Sequence, residues 1–406
     1  MTGRADHIIA RINQLASISE DPTGITRRYG TPAAMQAANK VQEWMQAAGL
    51  QTTIDAIGNV RGAWLSENPA AKTLVIASHL DTVVNAGRWD GPLGVLTGLN
   101  ILENLIQQKH QLPFHCQLIA FSEEEGVRFH TTYLGSKVVA GSFEKETLRR
   151  TDENGTTLEQ AITTIGGDPA NLSADAIPKD QWLGYFEIHI EQGPILYTKK
   201  IPVAPVTAIA GQVRATVTFT GSAGHAGTVP MDMRQDALCG AAQFILAVEA
   251  QAVNGVLATV GKLTQTNPAS NTIPGETTCT VDIRSADQTT LNQAHEHLRG
   301  QAEAIGARRN LAVDWQIIQT SAPVTCDARM TAKLTAAIKT KGYEPLPLLS
   351  GAGHDAVPIS AVAPVCMLFV RCYKGISHNP QEHVEREDLA AALAVAENFI
   401  INMTEI

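Results

Sequence analysis

The 406-residue chain contains no apolar run approaching the ~18 residues that a membrane-spanning helix requires. Its first residues, MTGRADHIIARINQLASISED, lack the continuous apolar stretch of a signal peptide and instead carry an Ile8/Ile9/Ile12/Leu15 stripe, the pattern of an amphipathic helix. Clustered cysteines are missing as well. The six, at 116, 239, 279, 326, 366 and 372, form no CxxC pair, which removes zinc-ribbon and thioredoxin-like readings and leaves reduced core thiols in a cytoplasmic protein. Positive charge is in deficit, with 31 Lys and Arg against 40 Asp and Glu and a net charge of -9, so a nucleic-acid backbone or an anionic membrane is not an expected partner. GxSxG, P-loop and strand-following GxGxxG motifs are all absent, which argues against serine-elbow hydrolases and phosphate-cradling nucleotide enzymes. What remains is ordinary globular composition, 44% hydrophobic and 17% charged. At about 150 residues per domain, the length suggests two or three domains.

The pattern along the chain is α/β. Apolar strand-like runs at Leu74–Ser78, Cys116–Ser122, Phe186–Ile190 and Val365–Val370 alternate with helical periodicity at Gly94–Gln108, Thr331–Thr340 and Asp388–Ile401. Near-continuous apolar strands suit a mostly parallel sheet covered on both faces. The middle reads differently, as strand 212–220, helix 233–252, strands 256–264 and 276–284, helix 288–305 and strand 311–319. That β-α-β-β-α-β order is ferredoxin-like. The expected organisation is a catalytic domain of residues 1–208 and 322–406 with an inserted lid or dimerisation domain of residues 209–321. Pro202, Pro205 and Pro323 would stiffen the crossings.

Most of the twelve histidines need no special role; His7, His110, His115, His130, His295, His297 and His383 sit in polar or helix-surface contexts and read as solvated. Others fall at strand exits, where functional side chains of open α/β sheets gather. In LVIASHLDTVVNAGRWDGPLG a strand runs into His79, with Asp81 two residues on and Asp90 in the next loop. Asp81 could orient the far ring nitrogen of a metal-binding His79, or merely cap a turn. In CQLIAFSEEEGVRF, Glu123, Glu124 and Glu125 leave an apolar strand directly. They read either as a solvated acidic loop or as carboxylates whose mutual repulsion a divalent cation relieves. HIEQG puts His189 and Glu191 on one strand face, and CYKGISHNPQEH supplies His378 in a loop after a strand. A set of imidazoles and carboxylates without thiolate suits two divalent ions, Zn²⁺ or Mn²⁺.

With SHLDTV, DGPLGV, EEEG, HIEQG, GHAGTVPM, RQDA, NTIPG, SGAGHDA and ISHNP in that order, the chain resembles the dinuclear metal amidohydrolases related to aminoacylases. Within them it is similar to the branch of allantoate amidohydrolases, N-carbamoyl-L-amino acid hydrolases and β-ureidopropionases. The resemblance runs from DPTGITRRYG to ISHNPQEHV. It implies a metallopeptidase-like catalytic domain with His79 and His189 on one metal, Glu125 and His378 on the other, and Asp90 bridging. It further implies Glu124 as general base and Asp81 as the group orienting His79. His189 stands where most peptidases of this kind carry an acidic ligand, a choice typical of the ureido-hydrolysing branch.

For the inserted domain the resemblance implies substrate contacts from Gln212, Arg214, His225, Asn271 and Arg284, with His354 of SGAGHDA as a further substrate residue. His225 would also stabilise the reacting carbonyl, reaching the partner subunit of a homodimer. The residues themselves agree in part, because Gln212 and Arg214 share one strand face while Val213, Val217 and Phe219 line the other. Arginines on such faces are often only solvated, and two aimed at one cleft would fork a substrate carboxylate. The expected activity is hydrolysis of a ureido C–N bond in a small ureido-carboxylate, allantoate ahead of N-carbamoyl amino acids because of Arg214, SGAGHDA and MLFVRC. A non-catalytic binding relic would be expected to have lost a ligand or the base, and every one is present here.

Overall fold

The computed structural model describes residues 2–251 and 255–403. The chain divides into two compact units, Met1–Thr207 with Cys326–Ile406, and Ala208–Thr325. Among the described residues sixteen strands run in chain order as β1 Gln51–Ile54, β2 Val60–Trp64, β3 Thr73–His79, β4 His115–Phe121, β5 Trp182–Ile190, β6 Val203–Ile209, β7 Gly211–Thr220, β8 Gly224–His225, β9 Val256–Thr259, β10 Leu263–Gln265, β11 Thr272–Ile273, β12 Glu276–Ser285, β13 Ala312–Ser321, β14 Val324–Thr325, β15 Leu348–Ser350 and β16 Val365–Val370.

The larger sheet has the order β1-β2-β4-β3-β5-β16-β6-β14, with β15 also on β6. The four central strands β4, β3, β5 and β16 are mutually parallel, and the margins are antiparallel. Every residue of β5 and β16 is buried, as strands covered on both faces must be. Helices Thr2–Ala16, Pro92–Gln107, Ala328–Thr340 and Arg386–Ile401 share one core with Phe186, Ile188, Leu368 and Val370, and the short helix Ala356–Ile359 also packs on β5 and β16. The N-terminal stripe does what its period requires, with Ile8, Ile12 and Leu15 fully in the core. Gly94 lets the helix Pro92–Gln107 lie against β5, since a Cβ there would fall 2.1 Å from the Ile188 carbonyl oxygen. Among the described residues no helix is long and apolar enough to cross a membrane.

The second unit has the order β7, helix Ala237–Gln251, β9/β10, β12, helix Gln288–Arg309, β13, with β13-β7-β12 in the sheet and both β9 and β10 on the far side of β12. Alternation along β7 sends Val213, Ala215, Val217 and Phe219 into a core shared with both helices and leaves the other face polar.

Several local expectations shift. The predicted helix from 233 starts at Ala237, because Pro230 opens a short 3₁₀ turn, Met231–Met233, and Arg234 is extended, its guanidinium bonded to the carbonyls of Ala226 and Val229. Residue 252, the predicted end of that helix, lies outside the described residues. The single strand expected over 256–264 is two, interrupted at Val260–Lys262. Pro205 lies inside β6 opposite Leu368, because Val203, Ala204 and Val206 around it are core side chains. The hairpin β1–β2 carries no clear alternation and went unpredicted; β1 is mostly exposed.

Candidate metal centre

The four parallel strands end at one edge of the sheet, and the side chains of interest leave from there. His79 is the last residue of β3, the three glutamates follow β4, His189 is the penultimate residue of β5 and His378 lies in the loop after β16. Crevices outside the carboxyl ends of parallel strands are where α/β sheets bind ligands. Asp90 enters from the turn before the helix Pro92–Gln107, next to Gly91. That glycine has φ +82, and a Cβ on it would sit 2.6 Å from His79 Nδ1, so no other residue fits.

His79, Asp90 and His189 are buried and mutually close: His189 Nε2 lies 3.0 Å and His79 Nε2 3.5 Å from Asp90 Oδ1, and the two Nε2 atoms are 3.5 Å apart. The far nitrogens fix the tautomers. His189 Nδ1 donates to the Ile190 carbonyl at 2.9 Å, and His79 Nδ1 donates to the Asp81 carbonyl at 3.1 Å with the Asp81 carboxylate at 3.4 Å. Carbonyls only accept, so both Nδ1 atoms carry hydrogen and both Nε2 lone pairs point at Asp90 Oδ1. That oxygen is buried and receives no hydrogen bond among the described residues. Three lone pairs thus converge with no hydrogen between them, an arrangement a cation relieves. Without one the rings draw protons. Burial opposes charge on both histidines, yet Asp81 and Asp90 raise His79 well above the usual imidazole range and Asp90 raises His189.

Asp90 is shared with a second group. His378 Nε2 lies 3.1 Å from Asp90 Oδ2 and 3.3 Å from Glu125 Oε1, and these contacts carry the imidazole up to about 10. His79, Asp90 and His189 form one set able to hold a metal ion; Asp90, Glu125 and His378 form another; His79, Glu124 and Glu125 form a third. Glu124 is nine-tenths buried, and burial followed by repulsion from Glu125, Asp355 and Asp81 pushes its carboxyl well up. Its backbone N–H and that of Glu125 donate to Oδ1 and Oδ2 of Asp81 at 2.9 and 3.1 Å. The Asp81 carboxylate therefore fixes the glutamate loop while its carbonyl holds His79. Glu123 turns inward instead, and burial raises its carboxyl strongly.

Glu191 does not join the cluster: its carboxylate accepts from the N–H groups of Ile195 and Leu196 at the start of the helix Ile195–Lys199. His354 is buried with its ring 4.6 Å from that of His189, edge to face. Its Nε2 is 2.7 Å from Ser350 Oγ, whose hydrogen goes to the Ala352 carbonyl, so His354 Nε2 donates. Burial and His189 lower its pKa well below the imidazole range, and it stays neutral. Of the histidines read as solvated, His110, His115 and His295 are half-buried: His115 Nδ1 accepts from Ser66 N–H and His295 packs on Trp315.

Three residues around Asp90 carried no sequence expectation. Gln192 Nε2 and Ser377 Oγ each donate to Asp90 Oδ2 at 2.8 Å, and Glu382 accepts from the N–H groups of Trp89 and Asp90. The only signal for them was position inside HIEQG and ISHNPQE. Gln192 and His378 both hold left-handed backbone, at φ +55 and +54, strain of the kind that gathers at functional sites.

In the second unit, Gln212, Arg214 and Arg284 share the polar face of β7 and β12. Both arginine Nε atoms lie 2.8 Å from Asp282, one on each carboxylate oxygen, and the Gln212 amide oxygen faces Arg214. Burial opposes ionisation of Asp282, and Arg284 and Arg214 outweigh it, holding the carboxyl low. The arginines are thus forked onto an internal carboxylate. His225 and Asn271 meet at a two-stranded pairing of β8 with β11, where Ala226 N–H donates to the Asn271 carbonyl at 2.9 Å, and the side chains of both residues are exposed.

A sequence profile described as "Peptidase family M20/M25/M40" matches residues 75–402. The chain belongs to this family. It is 38% identical to "Allantoate deiminase 2" of Glycine max, covering 98% of this chain and 89% of that one. It is 34% identical to an "N-carbamoyl-L-amino acid amidohydrolase" of Geobacillus stearothermophilus, covering 97% of each. The solved structure of "Amidase, hydantoinase/carbamoylase family from Burkholderia multivorans" superposes with a TM-score of 0.91 at 32% identity over 98% of this chain and 97% of that one.

Proposed function

We propose that this member of the family is a hydrolase of ureido C–N bonds whose substrate is allantoate, converted with water to ureidoglycine, ammonia and carbon dioxide. The observation that carries the reading is the convergence of His79 Nε2, His189 Nε2 and Asp90 Oδ1 with their lone pairs facing. His79 and His189 would hold one divalent ion, Glu125 and His378 a second, and Asp90 both; Zn²⁺ and Mn²⁺ fit this N/O donor set. Such ions, when bound, polarise the carbonyl and make water more acidic.

The chain's residues do the rest. Glu124 takes the proton of the attacking water, whose oxygen bonds to the ureido carbon. It then returns that proton to the departing nitrogen as the C–N bond breaks. The carbamic acid left behind loses carbon dioxide. Asp81 keeps both participants in register, holding His79 by its carbonyl and the Glu124 N–H by its carboxylate. Gln212, Arg214, Asn271, Arg284 and His354 would bind substrate, the arginines exchanging Asp282 for the substrate carboxylate. His225 would serve the active site of a second copy in a homodimer. Six unpaired thiols support a reducing compartment, the cytoplasm.

The second reading, an N-carbamoyl-L-amino acid hydrolase, rests on the 34% identity to the Geobacillus enzyme over nearly the whole chain. Ammonia release from allantoate and from N-carbamoyl-L-methionine, each with added Mn²⁺ or Zn²⁺, separates the two. Turnover of allantoate well above that of the carbamoyl amino acid is the expected result; activity on the latter alone reverses the choice.

A further inference from the structure

Among the described residues Arg27 is one of the largest fully buried side chains, and no carboxylate there accepts a hydrogen bond from it. Its Nε donates to the Leu80 carbonyl at 3.2 Å, and its Nη1 donates to the carbonyls of Leu15 and Ile18 at 2.8 and 3.2 Å. A buried guanidinium without an ion pair is costly, so something must hold it there. Part of the reason is local: Leu15 lies in the last turn of the helix Thr2–Ala16 and Ile18 two residues beyond it, at the end of the helix where the carbonyl dipoles favour a cation. The third contact belongs to Leu80, the residue between His79 and Asp81. Burial brings the guanidinium down to about 10 against the favourable field of Asp81, which leaves it charged at neutral pH.

The backbone around Arg27 repeats the connection. Arg27 N–H donates to Thr82 Oγ1 at 2.9 Å and Thr82 N–H donates to the Arg27 carbonyl at 3.1 Å. Asn85 N–H donates to Thr26 Oγ1 and Ala86 N–H to the Ile25 carbonyl. Residues 25–27 therefore run as a brace along 80–86, the stretch that leads from His79 and Asp81 towards Asp90. From these contacts we infer that Arg27 is a positioning residue that holds the His79–Asp81 turn in the geometry the metal centre needs. The inference rests on the metal-hydrolase reading above. Arg27 touches neither substrate nor metal and acts through Leu80, Thr82 and the Asp81 carbonyl that orients His79.

The test uses Arg27→Lys, Arg27→Met and Thr82→Val in the full-length protein. Arg27→Lys keeps the charge but cannot reach carbonyls in two directions. Thr82→Val removes the acceptor for the Arg27 N–H and leaves the guanidinium in place. Each is compared with wild type for far-UV circular dichroism, Zn²⁺ affinity by chelator competition, the visible spectrum of the Co²⁺-loaded protein, and the kcat and KM of ureido hydrolysis. The expected result is native circular dichroism for Arg27→Lys and Thr82→Val with a shifted Co²⁺ spectrum. Metal affinity or kcat should fall by roughly 10–100-fold, the usual scale for groups that orient a ligand, at little change in KM, with Arg27→Met worse than Arg27→Lys. Native Co²⁺ spectra, Zn²⁺ affinity and kcat in both of the milder variants overturn the proposal. A wild-type protein that binds no divalent ion and hydrolyses no ureido substrate overturns the metal-hydrolase reading instead.

Discussion

At Asp81 one side chain and its own backbone serve two masters, the carboxylate taking the N–H groups of Glu124 and Glu125 while the carbonyl takes His79 Nδ1–H. Residues two apart on an extended segment share a face, which is why HxD raised the orientation reading; which oxygen reaches the ring depends on the turn, and no spacing rule contains it. Glu124 is the residue on which the proposed chemistry turns. Glu124→Gln keeps shape and hydrogen bonding but cannot accept a proton, so kcat should fall by about 10²–10⁴ while metal analysis still finds the ions of wild type. Near-normal kcat in that variant would remove Glu124 from the base position. The remaining environment of Asp90, from Gln192, Ser377 and Glu382, was unreadable in advance because polar residues near a histidine are common in loops and only their distances single these out.

At the scale of elements, strands followed their apolar periods closely where a face is buried, on both sides in β5 and β16 and on one side in β7 and β12, and poorly where the pattern is broken. β1 and the divided edge β9/β10 are short and partly exposed, so packing imposes little pattern on their sequence. The contact of the helix Pro92–Gln107 with β5 is set by Gly94. Gly94→Ala drives a methyl to 2.1 Å from the Ile188 carbonyl oxygen and must separate helix from strand. The expected cost is about 1–3 kcal/mol in urea unfolding. Because His189 directly follows Ile188, metal affinity should weaken in the same variant. An unchanged unfolding midpoint would mean that the helix shifts freely over the sheet.

For the whole molecule, ions held as proposed in the first unit would stabilise only the folded state. Stripping with EDTA should lower the melting temperature, and excess Zn²⁺ or Mn²⁺ should restore it; at one hundred times Kd the gain is about 2.7 kcal/mol. Identical melting curves with and without the chelator would count against tight ion binding. The acidic balance of the chain, net -9, is an adverse field for polyanions, and it bears on partners rather than on fold.

The α/β alternation and the β-α-β-β-α-β order of the middle segment could be read from the chain alone, because hydrophobic periodicity is local and records which face of each element is buried. The same holds for the identity of the chemical groups at the strand exits. Their meeting was decided only by the tertiary structure. His79, Asp90, Glu125, His189 and His378 come together through the parallel register of β4, β3, β5 and β16, and through a glycine at 91 that lets Asp90 turn in beside His79. Tautomers, the orphaned oxygen of Asp90 and the anchoring of Leu80 by Arg27 are likewise distances between residues far apart in sequence, and a one-dimensional pattern holds no record of them.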